Sequence, residues 1–541
     1  MHIGLDFDNT IACYDQSFIK AATGRNLLPP NWSGGKRALR DFLRDKGDVG
    51  EQEWQALQGR VYGKLMPEAE LKPGVGWFLL FCKARKIPVS IVSHKTEYSP
   101  KDSARIPLRS AALQWMTAKG FFGSNVYGLK EDEIFFESTR RQKVERIKSL
   151  GCTHFVDDLL EVFQEENFPR DVEKLLYDPE GLDQQSTGSI DVHNSWSSIG
   201  NSLLGAETHA ELGVIVRGVV PKETIQECVP ISPGGNSTVF KLCLSDKSEN
   251  LLKRYPQEIA VNRSRLKTEV SACRLLRTVG IEQPAEVIYE DVENEIAVFR
   301  WIDGSRVANP KAKHIESLLQ FVEELRNIKR TDEVHAFPSA KEACLSGQDI
   351  CDQIQNRRDR LGRREIKSEE LKTFLSQIFD PLVAKTIAWA QEDWPAGRSF
   401  FEPLPREFQT LSPSDFGFHN ALWERSGKLR VVDLEYFGWD DPVKLASDFC
   451  WHPAMKIPQR LQQKWILGMR QLFSSDQDFE NRLTIAHPLY GLRWAMIVLK
   501  PFFSKGGRMA GRDQLLQDRL CKSRSFCDDV RNWVDRGHQQ F

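Results

Sequence analysis

Short apolar runs alternate with longer helix-like stretches over the first ~205 residues. The runs that predict strands are rich in Val, Ile, Leu and Phe, and each is followed by polar residues; they cover 3–7, 89–92, 153–156 and 175–177. Apolar strands separated by helices are typical of a parallel sheet that is covered by helices. The pattern therefore predicts an α/β fold with a Rossmann-like parallel sheet for residues 1–205.

One segment interrupts this alternation. Residues 15–74 form a long connection in which Trp54, Leu57, Val61 and Leu65 recur at helical spacing. Connections of this length inside a compact domain usually have a function of their own or add structure to the fold. Both a helical cap over a site and a plain structural elaboration fit the pattern.

The pattern changes after a segment rich in Ser, Asn and Gly at 184–201, which predicts a domain boundary near residue 205. Strand-like runs come first, at 213–220, 239–244, 251–255, 287–289 and 296–301. Helical periodicity then dominates, for example at 318–328, 461–473, 489–499 and 514–530. This order predicts a second, bilobal α+β domain over 206–541, with a small β-rich lobe at 206–304 and a helical lobe at 305–541.

Composition and charge exclude several classes of protein. A chain of 541 residues is too long for one core, and the formal net charge of −1 offers no basic field for nucleic acid. No apolar run reaches the ~18 residues that a membrane span needs. The 11 cysteines are scattered, as expected of reduced thiols. We therefore expect a cytoplasmic protein with small-molecule partners and with neither nucleic-acid nor membrane binding.

Carboxylates follow the predicted strands of the first domain. Asp6 and Asp8 come directly after the first strand, Ser93 ends the second, and Asp157 and Asp158 end the third. Because the carboxyl ends of parallel strands share one edge of a sheet, these side chains are expected to converge. Phosphoryl transfer to a carboxylate needs a nucleophile, a second acid that protonates the leaving oxygen, and a metal ion that screens charge.

This set resembles the haloacid dehalogenase-like hydrolase superfamily over residues 1–200. The resemblance implies that Asp6 is the phosphate-accepting nucleophile, and that Asp8 is the general acid and base and binds Mg²⁺ through its backbone carbonyl. The implied phosphate-binding residues are Thr10, Ser93 and Lys143, and the implied Mg²⁺ ligands are Asp6, Asp8 and Asp157 or Asp158. Lys148 and Lys130 are alternatives to Lys143. His94 and Lys95 follow Ser93 and could reach a substrate, and for His94 a solvated loop residue fits the sequence equally well.

A second group of residues carries kinase-like chemistry. Asp415 and Asn420 stand five residues apart in one loop, and Asp433 follows a short apolar run. Lys253 lies in a strand-like run and Glu269 in a helical one. Kinase chemistry needs a carboxylate near the acceptor hydroxyl, Asn and Asp metal ligands, and a lysine on the nucleotide phosphates.

The second group resembles the aminoglycoside phosphotransferase and choline kinase group, which has a protein-kinase-like fold, over 210–541. The resemblance implies that Asp415 is the catalytic base, that Asn420 and Asp433 bind Mg²⁺, and that ATP is the phosphoryl donor. The implied ATP-binding residues are Gly234, Gly235, Asn236, Ser237, Lys253, Glu269, Phe299 and Trp301, with Glu269 as the ion-pair partner of Lys253 and 299–304 as the hinge. One departure is that Pro413-Ser414 replaces the His-Gly usual before the catalytic Asp. Ser412 or Ser414 could brace the loop instead.

Together the two resemblances imply a bifunctional enzyme, a phosphatase fused to a small-molecule kinase that acts on a sugar or a glycan precursor. One alternative is a phosphatase whose kinase-like half only binds nucleotide and regulates. Another is a nucleic-acid end-processing enzyme, which the near-neutral charge and the absent Gly-x-x-x-x-Gly-Lys-Ser/Thr loop disfavour.

Overall fold

The computed structural model describes residues 1–29, 32, 34–99, 105–123, 126–181, 189–205, 211, 225–231, 237–256, 264–362, 368–502 and 512–536. The chain forms two compact units. The first unit comprises Met1–Ser264 with Ile288–Phe299, and the second comprises Arg265–Val287 with Arg300–Phe541. The boundary predicted near residue 205 lies inside the first unit and stays a prediction.

A six-stranded sheet lies in the first unit, in the order β5-β4-β1-β6-β7-β8, and its strand pairs are all parallel. The strands up to residue 193 are β1 Ile3–Leu5, β2 Ala12–Cys13, β3 Glu70–Leu71, β4 Val89–His94, β5 Ile134–Glu137, β6 His154–Asp157, β7 Glu173–Tyr177 and β8 Ile190–His193. The parallel sheet predicted from the apolar runs is confirmed. Strands β5 and β8 were not predicted. Strand β8 lies in the polar segment that indicated a boundary.

Helices connect these strands. They are α1 Asp15–Thr23, α2 Lys36–Arg44, α3 Asp48–Tyr62, α4 Val75–Ala84, α5 Leu108–Ala118, α6 Arg140–Ser149, α7 Leu160–Phe163 and α8 Trp196–Leu203. The first three fall within the long connection at 15–74, and the antiparallel pair β2–β3 joins the two ends of that connection. The connection is therefore helical, as its periodicity predicted; its role as a cap stays a prediction.

A second sheet in the first unit has five strands in the order β12-β13-β11-β10-β9. These are β9 Ile225–Ile231, β10 Thr238–Leu244, β11 Glu249–Arg254, β12 Val287–Asp291 and β13 Ile296–Arg300. Four of them match predicted strands, whereas the predicted strand at 213–220 lies outside the described residues. Strands β10 and β11 pair as an antiparallel hairpin.

One continuous hydrophobic cluster joins the two sheets of the first unit. It includes Leu5 and Ile91 of the parallel sheet together with Phe240, Leu252 and Val298 of the five-stranded sheet. The guanidinium carbon of Arg254 on β11 lies 3.6 Å from the ring centroid of Trp77 on α4. A separate cluster around Val144 and Phe155 packs elsewhere against the parallel sheet.

The second unit is mostly helical. Its helices are α9 Arg265–Thr278, α10 Ala312–Arg326, α11 Asp332–Ala336, α12 Gly347–Gly362, α13 Glu369–Phe374, α14 Asp380–Glu392, α15 Pro442–Trp451, α16 Gln459–Leu472, α17 Phe479–Ile497 and α18 Arg512–Arg536. Its short strands are β14 Gly304–Ser305, β15 Thr410–Ser412, β16 Ala421–Glu424, β17 Leu429–Val431 and β18 Gly438–Asp440. The helices predicted near 318, 461, 489 and 514 are confirmed. Among the described helices, none has both the length and the apolar character needed to cross a bilayer.

Candidate functional sites

The first candidate site lies at the carboxyl ends of three neighbouring strands. β1 pairs with β4 on one side and with β6 on the other, with Leu5 opposite Ile91 and Val156. The chain continues from β1 toward β4 in one direction and later returns to β6 on the other side, so the site lies where the strand order reverses. Ligands of open parallel sheets bind at this kind of position. Asp6, Ser93 and Asp157 therefore share one edge of the sheet.

Lys143 joins two of the carboxylates. Its Nζ lies 2.5 Å from Oδ1 of Asp6 and 2.6 Å from Oδ2 of Asp157, and its side chain is buried. Burial opposes the charged form of the amine, but Asp157 and Asp6 outweigh it and raise the pKa of Lys143. Lys148 and Lys130 have exposed side chains. Of the three lysines considered, the structure brings Lys143 to the carboxylates.

Three carboxylates meet at this point. One oxygen each of Asp6, Asp157 and Asp158 lies within 4.8 Å of the others. Burial and then the charge of Asp157 raise the pKa of Asp158 to about 7. The pKa of Asp6 is raised because burial outweighs the attraction of Lys143. Carboxylate oxygens are ligands that suit Mg²⁺, and a divalent cation here would relieve the repulsion among the three groups.

Thr10 contacts Asp158. Its hydroxyl donates to Oδ1 of Asp158 at 3.1 Å and accepts from the backbone N–H of the same residue at 3.1 Å. The two hydrogen bonds fix the loop after β6 to the loop after β1. Thr10 thus orients a candidate metal ligand, and its contact with phosphate stays a prediction.

Asp8 has a different environment from the three clustered carboxylates. Tyr14 donates to its Oδ1 at 2.5 Å, and Lys95 Nζ lies 2.8 and 3.0 Å from its two oxygens. Lys95 is buried. The sequence marked Lys95 only as a residue near a substrate, and nothing marked Tyr14, because neither contact follows from spacing along the chain.

Ser93 has an unfilled hydrogen-bonding group. Its side chain is fully buried at the end of β4, and its Oγ has no hydrogen-bond partner among the described residues. Buried hydroxyls normally have a partner. A phosphate oxygen at the site would accept the missing hydrogen bond, which fits the predicted role of Ser93.

A cavity of about 470 Å³ opens above these residues. Asp6, Asp8, Asp158 and Lys143 line it, and so do side chains of the helices α2 and α3 from the connection at 15–74. The connection at 15–74 therefore borders the site.

The second candidate site surrounds Asp415, in the loop after β15. The side-chain amide of Asn420 donates to the backbone oxygen of Asp415 at 3.0 Å, and the carbonyl of Asn420 accepts from the N–H of Val432 at 3.0 Å. These bonds attach the loop to the segment that leads to Asp433. Asp415 and Asn420 are therefore brought together as the resemblance implied.

Two imidazoles flank Asp415. His419 Nε2 lies 2.8 Å from Oδ1 of Asp415 and His452 Nε2 lies 3.4 Å from the same oxygen. The two rings stack with centroids 3.9 Å apart. Burial would raise the pKa of Asp415, but the hydrogen bond and charge of His419, with smaller contributions from His452 and Lys444, lower it. His452 was not predicted, since it lies directly after α15, far from Asp415 in sequence.

The loop that lacks His-Gly is braced by other groups. The hydroxyl of Ser412 accepts from the N–H of Ser414 at 3.0 Å, and Lys444 Nζ donates to the Ser414 hydroxyl at 2.9 Å. Lys444 is buried and also pairs with Asp440 at 3.1 Å. Ser414 has a φ of 66°, in the left-handed region. Both serines therefore hydrogen-bond within the loop, as the sequence suggested they could.

Asp433 belongs to a second group of acids. One oxygen each of Glu269, Asp433 and Glu435 lies within 4.8 Å of the others. Glu269 accepts from the N–H of Leu434 at 3.2 Å, and Arg265 Nη1 lies 2.7 Å from Glu435 Oε1. Glu269 thus contacts the metal-ligand segment. Its predicted pairing with Lys253 stays a prediction, because the two residues belong to different units.

The remaining predicted ATP-binding residues are spread over the chain. Gly234, Gly235 and Asn236 lie outside the described residues. Ser237, directly before β10, and Lys253 on β11 are buried in the first unit, and Phe299 is buried on β13. Trp301 lines a cavity of about 570 Å³ in the second unit. Binding of ATP by these residues stays a prediction.

No family model and no curated protein matches the chain. Solved structures do resemble it in part. The ethanolamine kinase of Plasmodium vivax is 12% identical, with 62% of this chain and 94% of that chain covered and a TM-score of 0.44. A choline kinase from Streptococcus pneumoniae is 10% identical, with 62% and 97% covered and a TM-score of 0.39. An aminoglycoside phosphotransferase from Alicyclobacillus acidocaldarius is 14% identical, with 58% and 93% covered and a TM-score of 0.37.

These likenesses are to proteins named as kinases and phosphotransferases, over about 60% of this chain. At such TM-scores they carry no argument about reaction or substrate. The chemistry of this chain therefore rests on the side chains described above.

Proposed function

We propose that the chain carries two phosphoryl-transfer centres: one hydrolyses a phosphomonoester, and the other uses ATP to phosphorylate a hydroxyl of a small polar molecule such as a sugar. The observation that carries the first half is the ammonium of Lys143, which bridges Asp6 and Asp157 at the sheet edge where β4 ends with the unpartnered Ser93 hydroxyl. A buried cation between two carboxylates, at an edge that also carries an unfilled donor, suits an incoming phosphate.

In the proposed hydrolysis, an oxygen of Asp6 attacks phosphorus while the bond from phosphorus to the ester oxygen breaks and Asp8 protonates that oxygen. Water then attacks the aspartyl-phosphate, Asp8 takes its proton, and the bond to Asp6 breaks to release phosphate. Lys143 offsets negative charge throughout. Mg²⁺ held by Asp6, the Asp8 carbonyl and Asp157 or Asp158 would screen the nucleophile from the phosphate.

In the proposed kinase reaction, Asp415 accepts the proton of the acceptor hydroxyl as its oxygen bonds to the γ-phosphorus and ADP leaves. Asn420 and Asp433 would hold Mg²⁺, for which the neighbouring oxygens of Glu269, Asp433 and Glu435 supply a suitable donor set. Lys253 would contact the ATP phosphates. The hydrogen bonds from Asn420 to Asp415 and from Val432 to Asn420 support this assignment, because they hold base and metal ligand in one loop.

Phosphorus NMR of the full chain with ATP, Mg²⁺ and a pooled extract of small polar metabolites tests both halves. Wild type is compared with Asp6→Asn and Asp415→Ala, and with the exposed carboxylates Asp132→Asn and Asp518→Ala as matched controls. We expect a new phosphomonoester to accumulate in Asp6→Asn, to be absent in Asp415→Ala, and to be consumed in wild type and both controls.

Two results would change the proposal. If ATP stays intact in every sample while p-nitrophenyl phosphate is hydrolysed only when Asp6 is present, the kinase-like half is a nucleotide-binding regulator, which the replaced His-Gly pair favours. If neither substrate changes in wild type with fresh Mg²⁺, both proposed activities are wrong.

A further inference from the structure

The helix α2 carries a basic face over the first site. Lys36, Arg37, Arg40 and Arg44 occupy it. At 3.6 residues per turn these four positions fall within an arc of about 100° on the helix surface. The neighbouring face holds the buried Leu39 and Leu43, which pack in the core of the first unit. The packing of the leucines fixes the direction in which the basic face points.

This face lines the cavity above Asp6 and Lys143, and all four basic residues take part in its wall. Lys36 marks the inner end: its Nζ lies 2.5 Å from Oδ1 of Asn9, the residue after Asp8, and 3.2 Å from the hydroxyl of Tyr62. From residue 36 to residue 44 the helix rises ~12 Å. The basic row thus extends outward from the candidate nucleophile.

The charges on this row are only partly compensated. Arg44 pairs with Glu51 at 2.7 Å and Arg40 with Asp41 at 3.0 Å, at the exposed edge of the helix. Arg37 has no ion-pair partner among the described residues. The acids Asp178 and Glu180 lie elsewhere in the cavity wall, in the segment after β7. Lys72, Arg140 and Lys143 also line the wall, and the four basic residues of α2 are the largest group of cations that one element contributes to it. Arg37 and Arg44 are exposed and Lys36 and Arg40 are half-buried, and all four border the open cavity above the site.

Hydrolysis of a simple monoester does not need this row, because Lys143 and Ser93 already suit the scissile phosphate. We propose that the substrate of the first site carries a second anionic group, a phosphate or a carboxylate, which Arg37 and Arg40 bind. This rests on the proposed phosphatase function and adds the class of substrate. Guanidinium groups match the paired oxygens of both anions, and such charge-assisted hydrogen bonds are among the strong ones.

A series of substrates with increasing distance between two anionic groups tests the proposal. The probes are α,ω-alkanediol bisphosphates with two to eight carbons, the matching monophosphates, and chains with a carboxylate in place of the second phosphate. Phosphate release gives kcat/KM, and calorimetry on Asp6→Asn gives Kd without turnover. The variant is Arg37→Gln with Arg40→Gln. The control is Arg141→Gln on α6, whose side chain is 80% exposed and lies outside the cavity wall.

We expect the kcat/KM and the affinity of the best bisphosphate to exceed those of its monophosphate by about 10-fold or more, since hydrogen bonds to charged groups are among the strong ones. The ratio of the bisphosphate value to the monophosphate value falls toward one in the double variant and keeps its wild-type value in Arg141→Gln. The carboxylate chains show which anion is preferred. A ratio near one in wild type, or a preference that survives the double variant, would overturn the proposal.

The calorimetry separates this proposal from the phosphatase function. Loss of all turnover in wild type, together with binding that still depends on Arg37 and Arg40, would reject phosphatase activity and keep the anion site. Turnover that requires Asp6 but does not depend on the second anionic group would support phosphatase activity and reject the anion site.

Discussion

His419 Nε2 lies 2.8 Å from Asp415 Oδ1, and the His419 ring stacks on that of His452. The imidazole fixes one oxygen of the proposed catalytic base. Since kinase catalysis is mostly positioning and charge neutralisation, the hydrogen bond is expected to orient Asp415 rather than to take part in proton transfer.

Replacing His419 by Phe keeps an aromatic ring for the stack and removes the hydrogen bond. We expect kcat for ATP-dependent phosphorylation to fall about 10-fold or more, because misplacement of a catalytic group is costly, while KM for ATP changes little. His419→Gln, which keeps an amide donor, should recover part of kcat. His335→Phe, at an exposed histidine on α11, is the control. Equal kcat values for Phe, Gln and wild type would show that His419 does not position the base.

Lys143→Met should abolish the proposed phosphatase activity and destabilise the first unit. It leaves Asp6 and Asp157 buried without their shared cation, and breaking a buried ion pair costs ~3–5 kcal/mol. Urea unfolding and hydrolysis of p-nitrophenyl phosphate measure the two effects. The matched control is Lys148→Met, on the exposed face of the same helix α6. If Lys148→Met lost activity instead, the assignment of the lysine would be reversed.

Much of the first site followed from local pattern. Apolar runs ending in Asp6, Ser93 and Asp157 predicted parallel strands with converging ends, because strand direction is set by the sequence order of strand and helix. From the sequence alone, Lys143 remained one of three candidates for the phosphate-binding lysine. The helical phase of the lysine and the position of α6 decide which candidate reaches Asp6. The structure supplies both.

Other contacts had no local signal. Lys95 and Tyr14 meet Asp8, and His452 meets Asp415, through the packing of elements far apart in sequence. Strand β8 was hidden because its segment is polar and three of its four residues are at least partly exposed. Spacing along one strand or helix predicts neighbours within that element only, so tertiary partners of this kind need the fold.

The shared cluster of the first unit predicts that the fragment 206–541 does not hold its five-stranded sheet alone. Phe240, Leu252 and Val298 lie in the same core as residues of the parallel sheet. We expect the fragment to aggregate or to bind a dye for exposed apolar surface, whereas the full chain does neither. Size-exclusion chromatography and thermal unfolding compare the two. A monomeric fragment that unfolds cooperatively near the temperature of the full chain would contradict this.

Acid should destabilise the second unit partly through His487, in the buried interior of α17 between the rings of Trp451 and Trp533. Burial lowers the pKa of His487 to about 3, whereas an unfolded histidine titrates near ~6.5. Above pH ~6.5 the group is neutral in both states and contributes nothing to the pH dependence. Below pH ~6.5 the histidine of the unfolded chain takes up a proton, whereas His487 in the native state stays neutral down to about pH 3. The free energy of unfolding therefore falls as pH falls.

The expected loss from His487 is on the order of 1 kcal/mol for each pH unit within this window. Urea unfolding at four pH values between 7.5 and 4.5 measures it in wild type, in His487→Phe and in the exposed control His335→Phe. His487→Phe keeps the backbone oxygen that accepts from Trp451 Nε1 at 2.9 Å, so the variant should fold and lose stability less steeply toward acid. Parallel slopes for all three proteins would assign the acid sensitivity to other groups, because only a histidine that stays neutral in the native state produces this difference.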